Sequence, residues 1–510
     1  MTENSALGVS VPRIDGYFKA TGKAKYIADI FRPGMLYGKI LFSPHAHAKI
    51  LRIDTQKAEK LPGVKAVITS EDTPNKLYGL YIFDRLIFAR EKVRHIGEPV
   101  AAVAATSEKI ALEALKLIEV DYEDLPALYD PQTAIQPDAP ILHPKIKEYN
   151  AIHPYIKYGN VCMDATIHRG NIEEGFANAD LVVENTFCTK PMHQASLEPH
   201  GCLAEFDQYG KLTIWTATQQ MSVCHSEVAK ALNIPITQVK VIPATLGGGF
   251  GGKLKTLFEQ ICALLAEKSG LPVKLILTRE EEFTVTHPRS EYFITMKTGV
   301  KKDGTIIARD VDIINDVGAY SDHAVGTMVH AITYAIGPYD IPNVRTRGRS
   351  VYTNNPDWGC MRGYGSLQTH FASESQLDII ASKLGIDPAD LRLKNLCKEG
   401  TSFITTQTLE GVHIQQTMEA ALEASGYREK KGKMGPNRGI GIANSMLNTG
   451  FLASSAAVRI NEDGTASVLT GIVDIGTGTH TVLCQIAAEV FGIPVNRIGI
   501  AAPDSDSSPY

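Results

Sequence analysis

Gly247-Gly248-Gly249-Phe250-Gly251-Gly252 is the stretch of this 510-residue chain whose composition most directly implies chemistry. Glycines let a backbone approach a ligand closely, and a following helix would turn free N–H groups toward negative charge. At a helix N-terminus such a charge gains roughly 0.3–1 kcal/mol. The run satisfies GxGxxG through Gly247, Gly249 and Gly252, between a strand-like stretch at 239–242 and a helical pattern from Thr256 to Ala266. Three readings stand: a phosphate-cofactor loop of an unusual kind, a dinucleotide site, or a structural turn. Against a nicotinamide dinucleotide speak the loop's position deep in the chain, the bulk of Phe250, and the late acidic cluster Glu280-Glu281-Glu282. Leu254 follows Gly252-Lys253 where a P-loop needs Ser or Thr, which excludes that motif.

Other chemistry-bearing residues form weaker patterns. The eight cysteines are scattered without a CxxC pair, arguing against zinc or iron–sulfur ligation, and they read as buried or reduced thiols. His45 with His47, and His193 with His200, lack further ligand spacing and read as ordinary hydrogen-bonding residues. A formal net charge of -5 gives no drive toward nucleic acid or anionic lipid. Apolar runs such as 99–105 and 261–266 are too short to span a bilayer, and no secretory leader is visible at the start. A cytoplasmic protein without membrane segments is the expectation.

The elements that must position the loop form two regions. Residues 1 to about 150 read as a mixed α/β unit, with strands at 36–42, 64–69 and 99–104 and a helix at 107–117. The Pro- and His-rich stretch 125–155 marks the boundary. Beyond it lies an internal repeat. Residues 207–246 run turn, strand, polar turn TQQ, helix, Ile234-Pro235, strand; residues 463–505 run turn, strand, turn DIGTG, helix, Ile493-Pro494, strand. From helix to second strand the copies superpose without gaps, suggesting two βαβ-like halves with loops at equivalent ends. Between them Asp387, Pro388 and Asp390 mark a helix start.

Taken in order, several stretches resemble the molybdopterin-binding catalytic subunits of the xanthine dehydrogenase/aldehyde oxidase family. They are Asp15-Gly16 with TGKAKY at 21–26, SPHAHAKI at 43–50, VRHIGEPVAAVAA at 93–105 and DYEDLPALYD at 121–130. Further on come TATQQ at 216–220, GGGFGGK at 247–253, VYTNNPDWGCMRGYG at 351–365 and DIGTGTH at 474–480. MRGYG is similar to the stretch in 4-hydroxybenzoyl-CoA reductases, and DIGTG to that in aldehyde oxidoreductases. The resemblance implies an α+β (mixed α/β) chain, with an α/β hammerhead domain over 1–150. A molybdenum-cofactor-binding domain with βαβ-like repeats follows over 151–510.

It also implies roles. Gln219 approaches the metal's oxo group, and the backbone N–H of Phe250 meets the same centre within the cradle of Gly248, Gly249 and Gly251. The backbone at Arg362 contacts the cofactor, and Thr477 stands where many relatives carry a glutamine touching the pterin. Molybdenum is then held by the molybdopterin dithiolene, with or without a cytosine dinucleotide extension, and no protein side chain ligates it. No iron–sulfur cluster or FAD is expected on this chain, so a [2Fe–2S] subunit and an FAD subunit are the implied partners. Purine-oxidising relatives carry a glutamate and an arginine where this chain has Leu254 and His330, so a purine loses two charged partners here. Tyr364 matches an aromatic flank of the substrate, while Trp358 reads equally well as core. An aldehyde, an aromatic acyl thioester or a non-purine N-heterocycle is the expected substrate. The family's general-base glutamate is expected beyond Tyr510. The repeat's second strand is followed by 503–510, inside what should be a second binding loop. Either a second chain carrying the C-terminal half completes the site, or the chain is an inactive remnant or scaffold.

Overall fold

The structure is a computed structural model that describes residues 6–447 and 453–509. Strands β1 (Leu36–Phe42), β2 (Val64–Thr69) and β3 (Pro99–Ala105) form where the apolar runs place them. In β3, PVAAVAA, every position after the proline is buried, as a strand covered on both faces requires. Ser107 caps the following helix, Glu108–Leu115, by accepting the Ile110 N–H. A small separate sheet sets Ala48–Asp54 between Lys92–Val93 and Glu119–Asp124.

Next come β4 (Gly201–Phe206), β5 (Leu212–Thr216), helix α1 (Met221–Leu232), β6 (Val239–Pro243), helix α2 (Glu259–Ser269) and β7 (Val273–Ile276). These strands join the earlier three in one seven-stranded sheet, ordered β6-β5-β4-β7-β1-β3-β2. The join is the parallel pairing of β1 with β7, Leu36 opposite Val273. The N-terminal strands therefore depend on a strand more than 200 residues later, a pairing no local pattern reveals. α2 is buried from Glu259 to Ala266, which anchors the segment running from the glycine loop.

A second sheet of six strands runs Ile156–Tyr158, Val161–Arg169, Asn343–Tyr352, Ile306–Gly318, Tyr292–Val300 and Leu181–Thr189. Its core packs against helix α3 (Asp322–Tyr334), and α4 (Ser366–Leu384) lies beside α3. The helix at Pro388–Asn395 starts as expected, with the Asp387 carboxylate accepting the Ala389 N–H.

The repeat is present and one strand longer than its sequence pattern shows. Its second copy comprises β8 (Ala456–Ile460), β9 (Ala466–Thr470), helix α5 (Thr479–Phe491) and β10 (Ile498–Ile500). β5 pairs in parallel with β6, Leu212 opposite Val239; β9 pairs in parallel with β10, Ala466 opposite Ile498. In each copy an antiparallel hairpin strand precedes: β4 in the first, β8 in the second. Both hairpin turns put a glycine, Gly210 or Gly464, at positive φ (79° and 77°). The copies meet where the Ser505 N–H donates to the Val241 carbonyl at 3.0 Å and Lys240 pairs with Asp504. Among the described residues no helix is long and apolar enough to cross a membrane.

Candidate functional site

The glycine run does not sit on a helix N-terminus. β6 ends at Pro243 and α2 starts at Glu259, three residues later than the helical pattern implies. The N–H groups of Leu257 and Phe258 bond to the Glu259 carboxylate at 2.8 and 3.1 Å, and the Thr216 hydroxyl does so at 2.7 Å. The chain's own carboxyl group therefore takes up the N–H groups that a dinucleotide fold would present to a pyrophosphate. The nicotinamide reading loses its physical basis there.

The loop is instead shaped by neighbours from distant parts of the chain. Gln219, in the turn after β5, accepts the N–H groups of Gly251 (2.9 Å) and Lys253 (3.1 Å) on its side-chain oxygen. That assigns the amide: Nε2 is left as a donor. Gly249 makes the approach feasible, because a Cβ there would lie 2.4 Å from the Gln219 Oε1. Gly251, at φ 104°, runs so close to the next segment that a Cβ would lie 2.7 Å from the Cys360 carbonyl oxygen. The Arg362 N–H reaches the Phe250 carbonyl at 3.0 Å, and the Arg362 carbonyl accepts from Arg289 at 2.6 Å. Underneath, Glu198 accepts from the Gly247 N–H and from the buried Lys253 ammonium, both at 2.8 Å. Burial lowers the Lys253 pKa although Glu198 opposes it. His200 bridges the Gly252 carbonyl and Glu282. Burial pushes the Glu282 carboxyl up, but its bonds to His200 outweigh this and hold it below the usual range.

Together these elements enclose a cavity of about 630 Å³. Gln219, Gly248, Phe250, Gly251, Leu254, Arg362, Tyr364 and Thr477 all line it, brought from four separate segments. Gly249 lies behind Gln219. His330 also stands one layer back, its ring packed edge-on against Tyr364 with centroids 4.8 Å apart. Trp358 does not line the cavity. Tyr364 presents its ring to the cavity while its hydroxyl is held inside by Tyr81 (3.1 Å) and His323 (3.0 Å). The DIGTG turn is drawn together by Asp474, which accepts the N–H groups of Gly476 (2.8 Å), Gly478 (3.3 Å) and His480 (3.3 Å). Arg13 clamps it from outside through the Gly476 carbonyl. Behind Leu254, Lys255 is buried between Asp322 and Asp357, and burial pulls its pKa down to about 8.

Comparison with known proteins follows this layout. Residues 152–396 and 416–510 match family models described as molybdopterin cofactor-binding domains. Residues 21–126 match the aldehyde oxidase and xanthine dehydrogenase a/b hammerhead domain. The chain is 34% identical over 431 residues to the nicotinate dehydrogenase large molybdopterin subunit of Eubacterium barkeri, covering 83% of this chain and 98% of that protein. It belongs to the xanthine dehydrogenase/aldehyde oxidase family. Within this family it is also 34% identical over 513 residues to a probable xanthine dehydrogenase subunit of Bacillus subtilis, covering 98% of the chain and 66% of that relative. Among solved structures, the aldehyde oxidoreductase of Desulfovibrio gigas superposes with a TM-score of 0.91 at 29% identity, over 100% of this chain and 57% of that one. The chain thus spans somewhat less than two thirds of these two longer family members.

The cavity wall fits the family's cofactor. Gly248, Phe250, Gly363 and Thr477 line it, and their N–H groups have no protein acceptor among the described residues. With the Gln219 Nε2 they form a donor-rich wall without a carboxylate, suited to a ligand whose heteroatoms are mostly acceptors. Arg13, Tyr81, Glu198, His323 and Asp474 were not legible as supports of the site. Asp474 lies inside a motif and could have been noticed as a turn acceptor; the others carry no local signal.

Proposed function

We propose that this chain is the molybdopterin-binding catalytic subunit of an oxidoreductase acting on an aldehyde, an aromatic acyl thioester or a non-purine N-heterocycle. What carries this reading is the convergence of Gln219, Phe250, Arg362 and Thr477, from four chain segments, on one cavity. Molybdopterin with its molybdenum would supply the two-electron redox chemistry. The chain's own residues bind and orient it. The Gln219 Nε2 and the N–H groups of Gly248 and Phe250 would donate hydrogen bonds to it, the Arg362 backbone holds the loop, and Thr477 would contribute a further part of the wall. The Tyr364 ring forms a flat flank for a planar substrate.

Substrate class follows from what the wall lacks. Leu254 is apolar. Burial pulls the His330 pKa down to about 4, so at neutral pH it is uncharged and cannot replace a guanidinium. A site without these two charges lacks the two charged partners that purine-oxidising relatives offer a purine.

In this reading the catalytic unit works in the cytoplasm with a [2Fe–2S] subunit and an FAD subunit, and the general-base carboxylate belongs to a segment outside residues 1–510. Among the described residues no carboxylate lines the cavity wall, in keeping with that placement. The test is metal and pterin analysis of the chain co-purified with the products of its neighbouring genes. Molybdenum and pterin at close to one per chain are expected; their absence overturns the proposal.

A further inference from the structure

A second, small cavity of about 30 Å³ lies between the N-terminal unit and the segment that runs from the glycine loop into α2. Tyr78, Arg85 and His95 line it from one side, and Gln260, His287 and Asp357 from the other. Asp357 is its centre. The Asp357 Oδ2 takes both the Arg85 guanidinium and, at 3.3 Å, the Lys255 ammonium. The Asp357 Oδ1 is buried without a protein partner among the described residues, and so are the Gln260 Oε1 and the His287 Nε2. Buried polar atoms are ordinarily bonded, so three such atoms around one cavity call for a ligand.

The other bonds of these groups fix what each free atom can do. The Gln260 Nε2 donates to the Leu257 carbonyl and to the Tyr78 hydroxyl, both at 2.9 Å, which leaves Oε1 as an acceptor. Burial holds His287 well below the usual imidazole pKa, so its ring is neutral. Its Nδ1 faces the Asp357 carbonyl at 3.2 Å and carries the proton, so Nε2 accepts. His95 behaves alike, with its pKa lowered by burial and its Nδ1 donating to the Ile96 carbonyl at 2.8 Å. Its Nε2 stands 3.9 Å from the Asp357 Oδ1, too far for a direct bond between what are in any case two acceptors.

This set of atoms selects the ligand. An anion would face Asp357 and three further acceptors. A cation would stand beside Arg85 and Lys255, which both already lie on Asp357. Neutral water donates two protons and can accept from the Tyr78 hydroxyl. The cavity has room for two molecules at roughly 10–15 Å³ each.

We propose that two bound water molecules fill this cavity, donating to the Asp357 Oδ1, the Gln260 Oε1 and the His287 Nε2, and that they make Asp357 a positioning residue for the cofactor cavity. Water on Oδ1 leaves Oδ2 turned to Arg85 and Lys255 together. Lys255 directly follows Leu254, and Asp357 shortly precedes the stretch from Cys360 to Tyr364; Leu254 and that stretch line the larger cavity. Asp357 thus ties both walls to Arg85 of the N-terminal unit. The water site stands by itself, and only its hold on the walls rests on the proposed use of the larger cavity.

The experiment is a high-resolution crystal structure of the protein, with His287→Phe and His287→Gln beside the parent. The parent is expected to show two waters that between them reach all three atoms at hydrogen-bond distance. A metal or halide ion there, side chains turned to bond one another, or no bound molecule overturns the site. The parent decides this whether or not a variant folds. Both variants lose the Nδ1 bond, but His287→Gln returns an acceptor oxygen near the place of Nε2, whereas His287→Phe fills the ring's space without one. His287→Phe is expected to lose a water and to quicken amide exchange over 250–254 and 360–364 at least tenfold. His287→Gln is expected to keep both waters and to exchange within twofold of the parent. Equal exchange in the two variants overturns the positioning role. Molybdenum content is read separately, so a chain that holds the waters but no metal sinks the proposed function alone.

Discussion

The N–H of Gly251 donates to the side-chain oxygen of Gln219 at 2.9 Å, tying the turn after β5 to the glycine loop 32 residues later. The same oxygen accepts from Lys253, so one amide both shapes the loop and keeps a donor for the cavity. Gln219→Ala would strand two partly buried N–H groups, at a cost of about 1–3 kcal/mol. Gln219→Glu keeps an acceptor for both but removes the Nε2 donor. Thermal melting should show the Ala variant less stable and the Glu variant near the parent. Turnover of the completed enzyme should fall at least tenfold in both. A fully active Glu variant would mean the donor has no part in the site.

Gly251→Ala places a Cβ 2.7 Å from the Cys360 carbonyl oxygen on a residue at φ 104°. Backbone strain of this kind costs about 1–3 kcal/mol, and the clash adds to it. Gly439, where a Cβ would meet nothing within 4 Å, is the control. Urea unfolding should separate the two, with Gly439→Ala within about 0.5 kcal/mol of the parent.

Asp474→Ala releases the N–H groups of Gly476, Gly478 and His480 at the start of α5 and removes the weaker of the two carboxylates beside Arg13, which keeps Asp15. Loss of such a cap costs about 1 kcal/mol. Amide exchange across 474–480 should quicken while β1 to β7 are unaffected, and cofactor retention should fall.

Gly326→Ala would bring a Cβ to 2.5 Å from the Tyr364 hydroxyl and 2.6 Å from that of Tyr81. The Tyr364 ring must then move in the cavity. The expected signature is a severalfold rise in KM with molybdenum content unchanged. Equal KM in both proteins would remove Tyr364 as a substrate wall.

Burial on α4 pulls the His370 pKa down to about 4. Unfolded, the ring titrates near 6.5, so between these values the unfolded state binds the extra proton. Stability from this group is complete above about pH 6.5 and is lost as pH falls toward 4, by roughly 1–3 kcal/mol. His370→Gln should flatten that part of the stability–pH curve, measured by denaturant unfolding at pH 7, 5.5 and 4.5. An unchanged slope would show that the ring is not held neutral.

Much of the site was readable because its signals are local. A glycine run, a repeat of strand, turn and helix, and a series of short motifs survive as patterns along the chain. Those patterns named Gln219, the glycine loop, Arg362, Tyr364 and Thr477, and the cavity brings these together. Counting residues back from Arg362 also suggested His330 as a wall residue. In the structure its ring packs against that of Tyr364, and it is not among the residues that line the cavity.

By itself, then, the amino-acid sequence determined the elements, the repeat, the family and most of the residues that line the cavity, since each depends on spacing over a few residues. Tertiary structure alone decided what holds them. Glu198 under the loop, Tyr81 on the hydroxyl of Tyr364 283 residues away and the β1–β7 join are all of this kind. Such contacts arise from the packing of segments far apart in the chain. Their residues need only the right shape and a hydrogen-bonding group at one point, a requirement that leaves no periodic trace along the sequence.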